Sequence, residues 1–312
     1  MSNYIAIDIG GTQTRAAIFE QHSETPLLTQ RISTLKQGEQ PLDRLLDLIA
    51  SIWEQSQPVC AIGVAAASPV DPYRGIIIAP PNIPGWINLP LQKHIQDRFH
   101  VPVALGNDAN LAALAEWKFG SGKGHRNMIY ITVSTGIGGG VILDNKLLLG
   151  ERGLAGELGH ITVLPDGPLC GCGQRGHIEA VASGPSIARW VEEELNKGKP
   201  SILPTGQHLT AKQIAAAATQ GDELSLAAFH RAGTFLGRMF ADYLHIFNPT
   251  AIVVGGGVSR SGSFFLEPLR AAMQSSVMSP QFLVNLTLTT AALGDEVCLL
   301  GALALAQSLA NQ

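Results

Sequence analysis

Charged residues are scarce in this sequence, and no segment of it is strongly basic. Asp, Glu, Lys and Arg make up 15% of the 312 residues, and the formal net charge is -4. Sequence-independent binding of nucleic acid needs many Lys and Arg side chains on one face, where they neutralise phosphates. The composition therefore predicts no nucleic-acid partner. A hydrophobic fraction of 46% also excludes a disordered chain.

Long apolar runs are equally absent. A helix that spans a bilayer needs about 20 consecutive apolar residues, and the longest apolar stretch, at residues 297–306, is shorter than that. The first residues, MSNYIAIDIGG, also lack the basic and apolar segments of a secretory signal. From these absences we expect a cytoplasmic protein with no membrane partner.

Cysteine is rare, with four residues in the chain. Without a secretory signal, so few cysteines do not predict a disulfide framework. Two of them belong instead to a cluster with two histidines: His160, Cys170, Cys172 and His177 follow at spacings of ten, two and five residues. Thiolates together with imidazoles suit tetrahedral Zn²⁺, so we expect a closed structural zinc site. The alternative is a chance pair of cysteines near unrelated histidines.

Apolar strand-like segments alternate with helix-like segments along the chain, which is typical of an α/β protein. Residues 5–19 and 129–143 share one plan, in which an apolar strand, a turn rich in Gly and Thr, and a second apolar strand follow one another. Two such copies predict duplicated lobes that face each other. We place the first lobe at residues 1–115, with a closing helix at 296–312 that packs back on it, and the second lobe at 116–295.

Three glycine-rich turns each follow an apolar segment: the first glycine turn at residues 8–14, the second at 134–138 and the third at 255–257. A triphosphate binds to backbone N–H groups that point into a cavity, and glycine allows both the sharp turn and the close approach. We therefore predict an ATP site. Its residues are Asp8, Gly10, Gly11, Thr12 and Thr14, then Thr135, Gly136 and Gly138, then Gly255, Gly256 and Gly257. Taken singly, each turn is equally well explained as a plain hairpin turn.

Two carboxylates follow apolar segments at positions that suit phosphoryl transfer. Asp8 ends the first such segment, where a carboxylate can hold Mg²⁺ through water. Asp108 follows a short apolar segment and a glycine, so we expect its carboxylate to project from a strand end into a cleft. Transfer to a hydroxyl needs a base within hydrogen-bond reach, and Asp108 is the candidate. The pattern alone also fits a helix cap at this position.

Taken together, these motifs resemble the ROK family of bacterial sugar kinases, which includes glucokinases, fructokinases and N-acetylhexosamine kinases. The matching segments are residues 8–12 (DIGGT), 106–110 (GNDAN), 134–140 (STGIGGG), 153–160 (GLAGELGH), 170–179 (CGCGQRGHIE) and 255–257 (GGG). They occur in the family's order and span nearly the whole chain. The resemblance implies the two-lobed actin-like ATPase fold, of ribonuclease H-like type, with ATP in the cleft. It also implies a homo-oligomer, either a dimer or a tetramer.

The resemblance assigns further roles in the sugar site. Asp108 corresponds to the family's catalytic aspartate, and Asn107 to a sugar ligand. Glu157, His160 and Glu179 match further sugar ligands. The segment at residues 81–86 (PNIPGW) resembles a sugar-side loop that brings Asn82 to the substrate, although an ordinary turn with an aromatic residue packed behind it is the alternative.

The sequence also departs from the family at two places. Ala67 and Ser68 stand where the family usually has Pro–Gly, which removes the glycine from a segment near the sugar. His177 stands where the family usually has cysteine. Histidine is a competent zinc ligand, but its longer side chain changes the reach and lowers the charge of the site.

The predicted reaction converts ATP and a hexose to ADP and a hexose phosphate. Glucose is the expected substrate, because the segments at 157–160 and 84–86 look glucokinase-like, while N-acetylmannosamine, N-acetylglucosamine and fructose remain open. A sugar-responsive repressor of the same family is a competing hypothesis from another class. It would need an N-terminal helix-turn-helix, whereas the first apolar strand already begins at Tyr4. A catalytically dead sugar-binding protein is a third reading, which the intact Asp8 and Asp108 disfavour.

Overall fold

The computed structural model describes residues 3–53, 58–80 and 82–310. Its strands are β1 (Asn3–Ile9), β2 (Gln13–Glu20), β3 (Leu28–Ser33), β4 (Val59–Ala66), β5 (Val70–Asp71), β6 (Ile76–Ile77), β7 (Val103–Asn107), β8 (Met128–Val133), β9 (Ile137–Leu143), β10 (Lys146–Leu147), β11 (Ala251–Gly255) and β12 (Thr287–Thr290). Its helices are α1 (Pro41–Trp53), α2 (Leu91–Phe99), α3 (Asp108–Lys118), α4 (Ile178–Ala182), α5 (Gly184–Asn196), α6 (Ala211–Thr219), α7 (Glu223–Phe247), α8 (Ser263–Ser276) and α9 (Val297–Leu309). The predicted α/β class is confirmed. None of the helices in these described ranges combines the length and the apolar character needed to cross a membrane.

Two five-stranded sheets share one strand plan. The first sheet has the order β3-β2-β1-β4-β7, and the second has the order β10-β9-β8-β11-β12. In each, the central strand pairs antiparallel with the strand that follows it in sequence, through the β1–β2 or the β8–β9 hairpin. On its other side it pairs parallel with β4 or β11. The repeated plan predicted from residues 5–19 and 129–143 is thus present in both sheets.

Helices cover both faces of the first sheet. One face packs against α1 and α2, and the other packs against α3 and α9. β1 is buried along almost its whole length. A strand covered on both faces needs apolar residues at successive positions rather than at alternate ones, which explains the continuous apolar run in β1.

Helices α3 and α9 lie between the two sheets. Leu111 and Ala115 of α3 pack with the first sheet, whereas Ala112 and Ala113 pack with the second. A helix that is apolar all round is buried on all sides, and small residues let neighbouring layers come close. At Gly301 of α9, a Cβ would lie 2.2 Å from the Leu111 carbonyl oxygen. Helix α3 therefore begins between the sheets, and its first residue is Asp108.

Two helices bear on the predicted division into lobes. Helix α3 runs through the boundary predicted between residues 115 and 116, and α9 packs on β1 and β4. The division into residues 1–115 with 296–312, and 116–295, stays a prediction. Residues 1–2, 54–57 and 311–312, which it includes, lie outside the described residues, as does Pro81 of the predicted sugar-side loop.

A buried carboxylate joins the two chain segments that connect the sheets. Glu116 of α3 is fully buried. Its Oε2 accepts a hydrogen bond from the Ser121 N–H (2.8 Å), and its Oε1 accepts one from the Leu293 N–H (2.9 Å). Ser121 lies between α3 and β8, and its hydroxyl donates to the Thr290 carbonyl oxygen (2.8 Å). Leu293 lies between β12 and α9. The Glu116 side chain is therefore hydrogen-bonded both to the segment between α3 and β8 and to the segment between β12 and α9.

We expect Glu116→Ala to lower the free energy of unfolding by about 2–4 kcal/mol, because it leaves two backbone N–H groups without their acceptor. Urea denaturation followed by circular dichroism measures the change. Glu267→Ala, at an exposed position of α8, is the matched control and should change stability by less than about 0.5 kcal/mol. Equal stability of the two variants would contradict the proposed role of Glu116.

Candidate active site

The first glycine turn joins β1 to β2 and is stabilised by hydrogen bonds within the turn and with Thr34. The Gly10 N–H donates to the Gln13 carbonyl oxygen (3.0 Å), and the Thr34 hydroxyl donates to the Gly10 carbonyl oxygen (2.7 Å). Thr14 is buried, and its hydroxyl is hydrogen-bonded to that of Thr34 (3.0 Å). Thr12 is exposed. The Thr14 hydroxyl thus stabilises the turn from inside, and its direct contact with a phosphate stays a prediction.

Asn82 lies directly against the first glycine turn. A Cβ at Gly11 would come within 2.7 Å of the Asn82 Cβ, so glycine is required there while Asn82 stays in place. Trp86, from the same predicted loop, is buried in the core of the first sheet. The aromatic residue is therefore packed behind the turn, while Asn82 is exposed at the turn's edge.

Asp8 is paired with Arg15 across the β1–β2 hairpin. The two residues are direct partners in the strand register. The Arg15 Nε and Nη2 atoms donate to Asp8 Oδ2 at 3.1 and 2.8 Å. Burial raises the pKa of Asp8, and the hydrogen bonds from Arg15 oppose this rise. Arg15 is a site residue that the sequence motifs did not predict. The signal was available, because residues that face each other across a tight hairpin form cross-strand pairs.

The second glycine turn joins β8 to β9 and is linked to the start of α5. The Ser134 N–H donates to the Gly136 carbonyl oxygen, and the Gly184 N–H donates to the Ser134 carbonyl oxygen, both at 2.8 Å. Thr135 is exposed at its tip. Gly138 lies under the N-terminus of α3, where a Cβ would be 2.9 Å from the Ala109 Cβ. This turn therefore lies next to Asp108.

The third glycine turn follows β11 and packs against the second sheet. Gly256 has a positive φ of 86°, and a Cβ there would lie 2.3 Å from the Val133 carbonyl oxygen. At Gly257, by contrast, a Cβ would meet no atom within 4 Å. The turn thus combines a position that only glycine fills without strain with an open backbone surface.

Asn107 caps α3, and Asp108 is the first residue of the helix. The Asn107 Oδ1 accepts hydrogen bonds from the Ala109 and Asn110 N–H groups (3.0 and 3.2 Å), and its Nδ2 donates to the Ser68 carbonyl oxygen (3.2 Å). The N-cap of α3 is therefore Asn107 rather than Asp108, and the role of Asp108 as the base stays a prediction. Burial raises the pKa of Asp108 to about 6; the Asp8 charge adds to the rise, and the Ala109 N–H opposes it.

One cavity collects predicted residues from distant parts of the chain. Its volume is about 410 Å³. The predicted residues that line it are Asn107, Asp108, Thr135, Gly136, Gly138, Glu157, His160 and Glu179. Asp8 lies close enough for its charge to raise the pKa of Asp108. The cavity therefore brings together the candidate base, the second glycine turn and the predicted sugar ligands other than Asn82, which lies against the first glycine turn instead.

Two further cavities adjoin the first one at Ser134. One, of about 650 Å³, is lined by Gly255, Gly256 and Gly257 together with Arg260 and Asp295. The other, of about 590 Å³, lies between Thr135, the start of α5 at Gly184, Lys212 and Gly257. All three cavities include Ser134 in their walls. The second glycine turn thus lies where the cavity of Asp108 meets the space beside the third glycine turn.

The predicted metal ligands converge in the structure. His160, Cys170, Cys172 and His177 place one ligand atom each within 4.8 Å of all the others. Cys170 Sγ lies 3.7 Å from His160 Nδ1, and Cys172 Sγ lies 3.3 Å from His177 Nδ1. Two sulfurs and two imidazole nitrogens form a donor set that fits Zn²⁺. The four residues predicted from their spacing thus converge, His177 included, and a bound zinc ion stays a prediction.

Glu179 connects this cluster to the second glycine turn. Its Oε1 accepts a hydrogen bond from Cys170 Sγ (3.3 Å), and its Oε2 accepts one from the Ile137 N–H (3.0 Å). On the cavity side, His160 Nε2 lies 3.9 Å from Glu157 Oε2. The cluster, the turn and the cavity wall are therefore one connected unit.

Comparison with known proteins finds relatives along the whole chain. Residues 4–309 match the ROK family. A glucokinase from Streptomyces coelicolor is 36% identical over 313 residues, with 97% of each chain covered. An N-acetylmannosamine kinase from Shigella boydii is 33% identical, with 97% of this chain and 98% of the other covered.

A solved structure agrees with this result. The crystal structure of a ROK family glucokinase from Streptomyces griseus, in complex with glucose and AMPPNP, gives a TM-score of 0.80 at 35% identity. The likeness covers 98% of this chain and 100% of that one. The predicted actin-like ATPase fold with duplicated lobes is thereby confirmed. Since the match includes both sheets, all three glycine turns and the His/Cys cluster, this chain belongs to the ROK family.

Proposed function

We propose that this chain is an ATP-dependent hexose kinase that transfers the γ-phosphate of ATP to the 6-hydroxyl of glucose. The observation that carries the proposal is the cavity in which the Asp108 carboxylate lies beside Glu157, His160 and the second glycine turn. The similarity to glucokinases at 36% identity supports glucose as the hexose.

On the sugar side, the cavity supplies the polar groups that hexose hydroxyls require. Buried hydroxyls need partners, because an unpaired one costs binding free energy. We assign this role to Asn107, Glu157, His160 and Glu179. Asn82 adds an amide from the edge of the first glycine turn.

Asp108 is the proposed general base. It takes the proton from the 6-hydroxyl as that oxygen attacks the γ-phosphorus; the bond between the γ-phosphorus and the bridging oxygen breaks, and ADP leaves with that oxygen. The raised pKa of about 6 leaves the carboxylate ionised at neutral pH and makes it a stronger base than an exposed aspartate.

This role predicts a pH profile. The base is active as the carboxylate, so kcat/KM should fall as pH decreases through about 6 and should level off above pH 7. Initial rates between pH 5 and 8 measure it, with coupling enzymes kept in excess at each pH. A profile that is flat down to pH 5 would contradict a base with this pKa.

For the nucleotide, we assign the phosphates to Gly10, Gly11 and Thr12 on one side and to Thr135, Gly136 and Gly138 on the other. Thr14 remains part of the proposed ATP site because its hydroxyl stabilises the first glycine turn. The nucleoside is assigned to the cavities beside Gly255, Gly256 and Gly257. Asp8 would hold Mg²⁺, which neutralises charge on the phosphates when bound.

His160, Cys170, Cys172 and His177 would hold a structural Zn²⁺. The support is their convergence within 4.8 Å and the suitability of this donor set. The ion would supply a fixed cross-link for the loop that carries Glu179. A dimer or tetramer also belongs to the proposal, supported by the family resemblance, and light scattering of the purified protein tests it.

A coupled assay of ADP release tests the function. The purified protein is given MgATP with glucose, N-acetylmannosamine, N-acetylglucosamine or fructose in turn, and glucose should have the highest kcat/KM. A higher kcat/KM for N-acetylmannosamine than for glucose would instead favour the N-acetylmannosamine kinase activity named for the Shigella boydii relative. Failure of all four sugars to stimulate ADP release would overturn the kinase proposal.

A further inference from the structure

Arg15 holds the Asp8 carboxylate by one oxygen. Both of its hydrogen bonds to Asp8 end on Oδ2. Among the described residues, no hydrogen bond reaches Oδ1. The side chains of Arg15 and Asp8 are only 21% and 16% exposed, so the pair is largely shielded from solvent.

The same guanidinium reaches the segment that precedes α9. Nη1 donates to Glu296 Oε1 (3.1 Å), and Nη2 donates to the Asp295 carbonyl oxygen (2.8 Å). Arg260 Nη2 in turn lies 3.2 Å from Asp295 Oδ1, and both residues line the cavity of about 650 Å³. Arg15 therefore connects the first glycine turn to the wall of the proposed nucleotide site, across 280 residues of sequence.

Arg15 is also the counter-charge for a group of acidic residues. Among the described residues, the titratable groups that interact electrostatically with Asp8 are Arg15 from β2, Glu296 from the turn before α9, Asp108 from α3 and Cys298 from α9. Arg15 is the cation of this set. Its planar guanidinium can hold several oxygens at fixed angles, which a lysine ammonium cannot do.

We propose that Arg15 is a positioning residue for the magnesium–nucleotide complex. It fixes Asp8 through Oδ2, which leaves Oδ1 for the hydrated cation, and it ties the first glycine turn to Asp295 in the wall of the nucleotide site. The inference rests on the proposed function, because it takes a magnesium-bound adenine nucleotide as the ligand.

The test compares nucleotide binding with and without the cation. Isothermal titration calorimetry measures the binding of MgADP, of ADP in EDTA and of glucose to the wild type, Arg15→Ala and Arg15→Lys. Loss of the group that orients a metal-binding carboxylate commonly costs about 10-fold or more in affinity. We expect Arg15→Ala to weaken MgADP binding about 10-fold, with ADP in EDTA and glucose changed less than about 2-fold. The affinity of Arg15→Lys for MgADP should lie between those of the wild type and Arg15→Ala.

Arg98→Ala is the matched control, because Arg98 forms an exposed ion pair with Asp47 at 3.4 Å. It should bind all three ligands as the wild type does. Thermal unfolding shows whether each variant is folded, and Arg15→Lys supplies the comparison if Arg15→Ala is not.

Two results would overturn the inference. One is unchanged MgADP binding in both Arg15 variants. The other is an equal loss of affinity for MgADP and for ADP in EDTA, which would make Arg15 a direct phosphate ligand. Failure of glucose alone to bind refutes the proposed substrate and leaves the Arg15 result standing, so the two failures are distinguishable.

Discussion

Asp108→Asn is expected to lower kcat for glucose by about 10³-fold, while the protein still binds the sugar. Asparagine has the same shape, and its Oδ1 can still accept the hydrogen bond that the Ala109 N–H donates at 2.8 Å. What it cannot do is take the proton of the attacking hydroxyl. The loss should therefore fall on kcat, with the dissociation constant for glucose changed only a few-fold.

Two measurements separate these effects. The ADP-release assay gives kcat, and calorimetry with glucose gives the dissociation constant. Asp97→Asn is the matched control, because Asp97 is exposed on α2 in an ion pair with Lys93. It should retain full turnover. A kcat for Asp108→Asn within 10-fold of the wild type would show that another group is the base.

Cys170→Ala is expected to remove one bound zinc ion per chain and to weaken glucose binding by about 10- to 100-fold. Cys170 is buried, and its sulfur lies 3.3 Å from Glu179 Oε1 and 3.7 Å from His160 Nδ1. Both neighbours line the proposed sugar cavity. Loss of the metal would free the loop that positions them, so the effect should appear in sugar binding as well as in metal content.

Metal analysis by mass spectrometry and calorimetry with glucose test this prediction together. Cys60→Ala is the matched control, since Cys60 is a half-buried cysteine of β4 outside the cluster. It should keep both zinc and glucose affinity. Purified wild type without zinc would remove the structural-metal proposal, and normal sugar binding by a zinc-free Cys170→Ala would separate the metal from the sugar site.

Much of the fold could be predicted because it depends on local patterns. The apolar runs of β1 and β8 end at glycine turns, and each returns as a second apolar strand, so both hairpins follow from short-range sequence. The His160 to His177 cluster was predictable for a similar reason, since the types of its residues restrict the chemistry. Asp108 needed the family resemblance as well, because the local pattern also fitted a helix cap.

Other features depend on contacts that local sequence does not specify. Thr14 was predicted as a phosphate ligand, but its hydroxyl bonds to Thr34, which comes from the segment after β3. Glu116 looks like an ordinary residue of an alanine-rich helix, yet it holds Ser121 and Leu293 at the two connections between the sheets. These hydrogen-bond partners depend on how the layers pack in the folded structure and not on the spacing of residues along the chain.

The amino-acid sequence by itself determined the α/β class, the two similar hairpins, the glycine turns and the metal-ligand set, because backbone conformation and ligand chemistry depend on residue type and short spacing. Only the tertiary structure decided that Asp108 shares a cavity with Glu157 and His160, and that Arg15 joins Asp8 to Glu296. The physical reason is that α3 and α9 are buried between the two sheets. Their packing brings together carboxylates and cations from segments that are far apart in the chain.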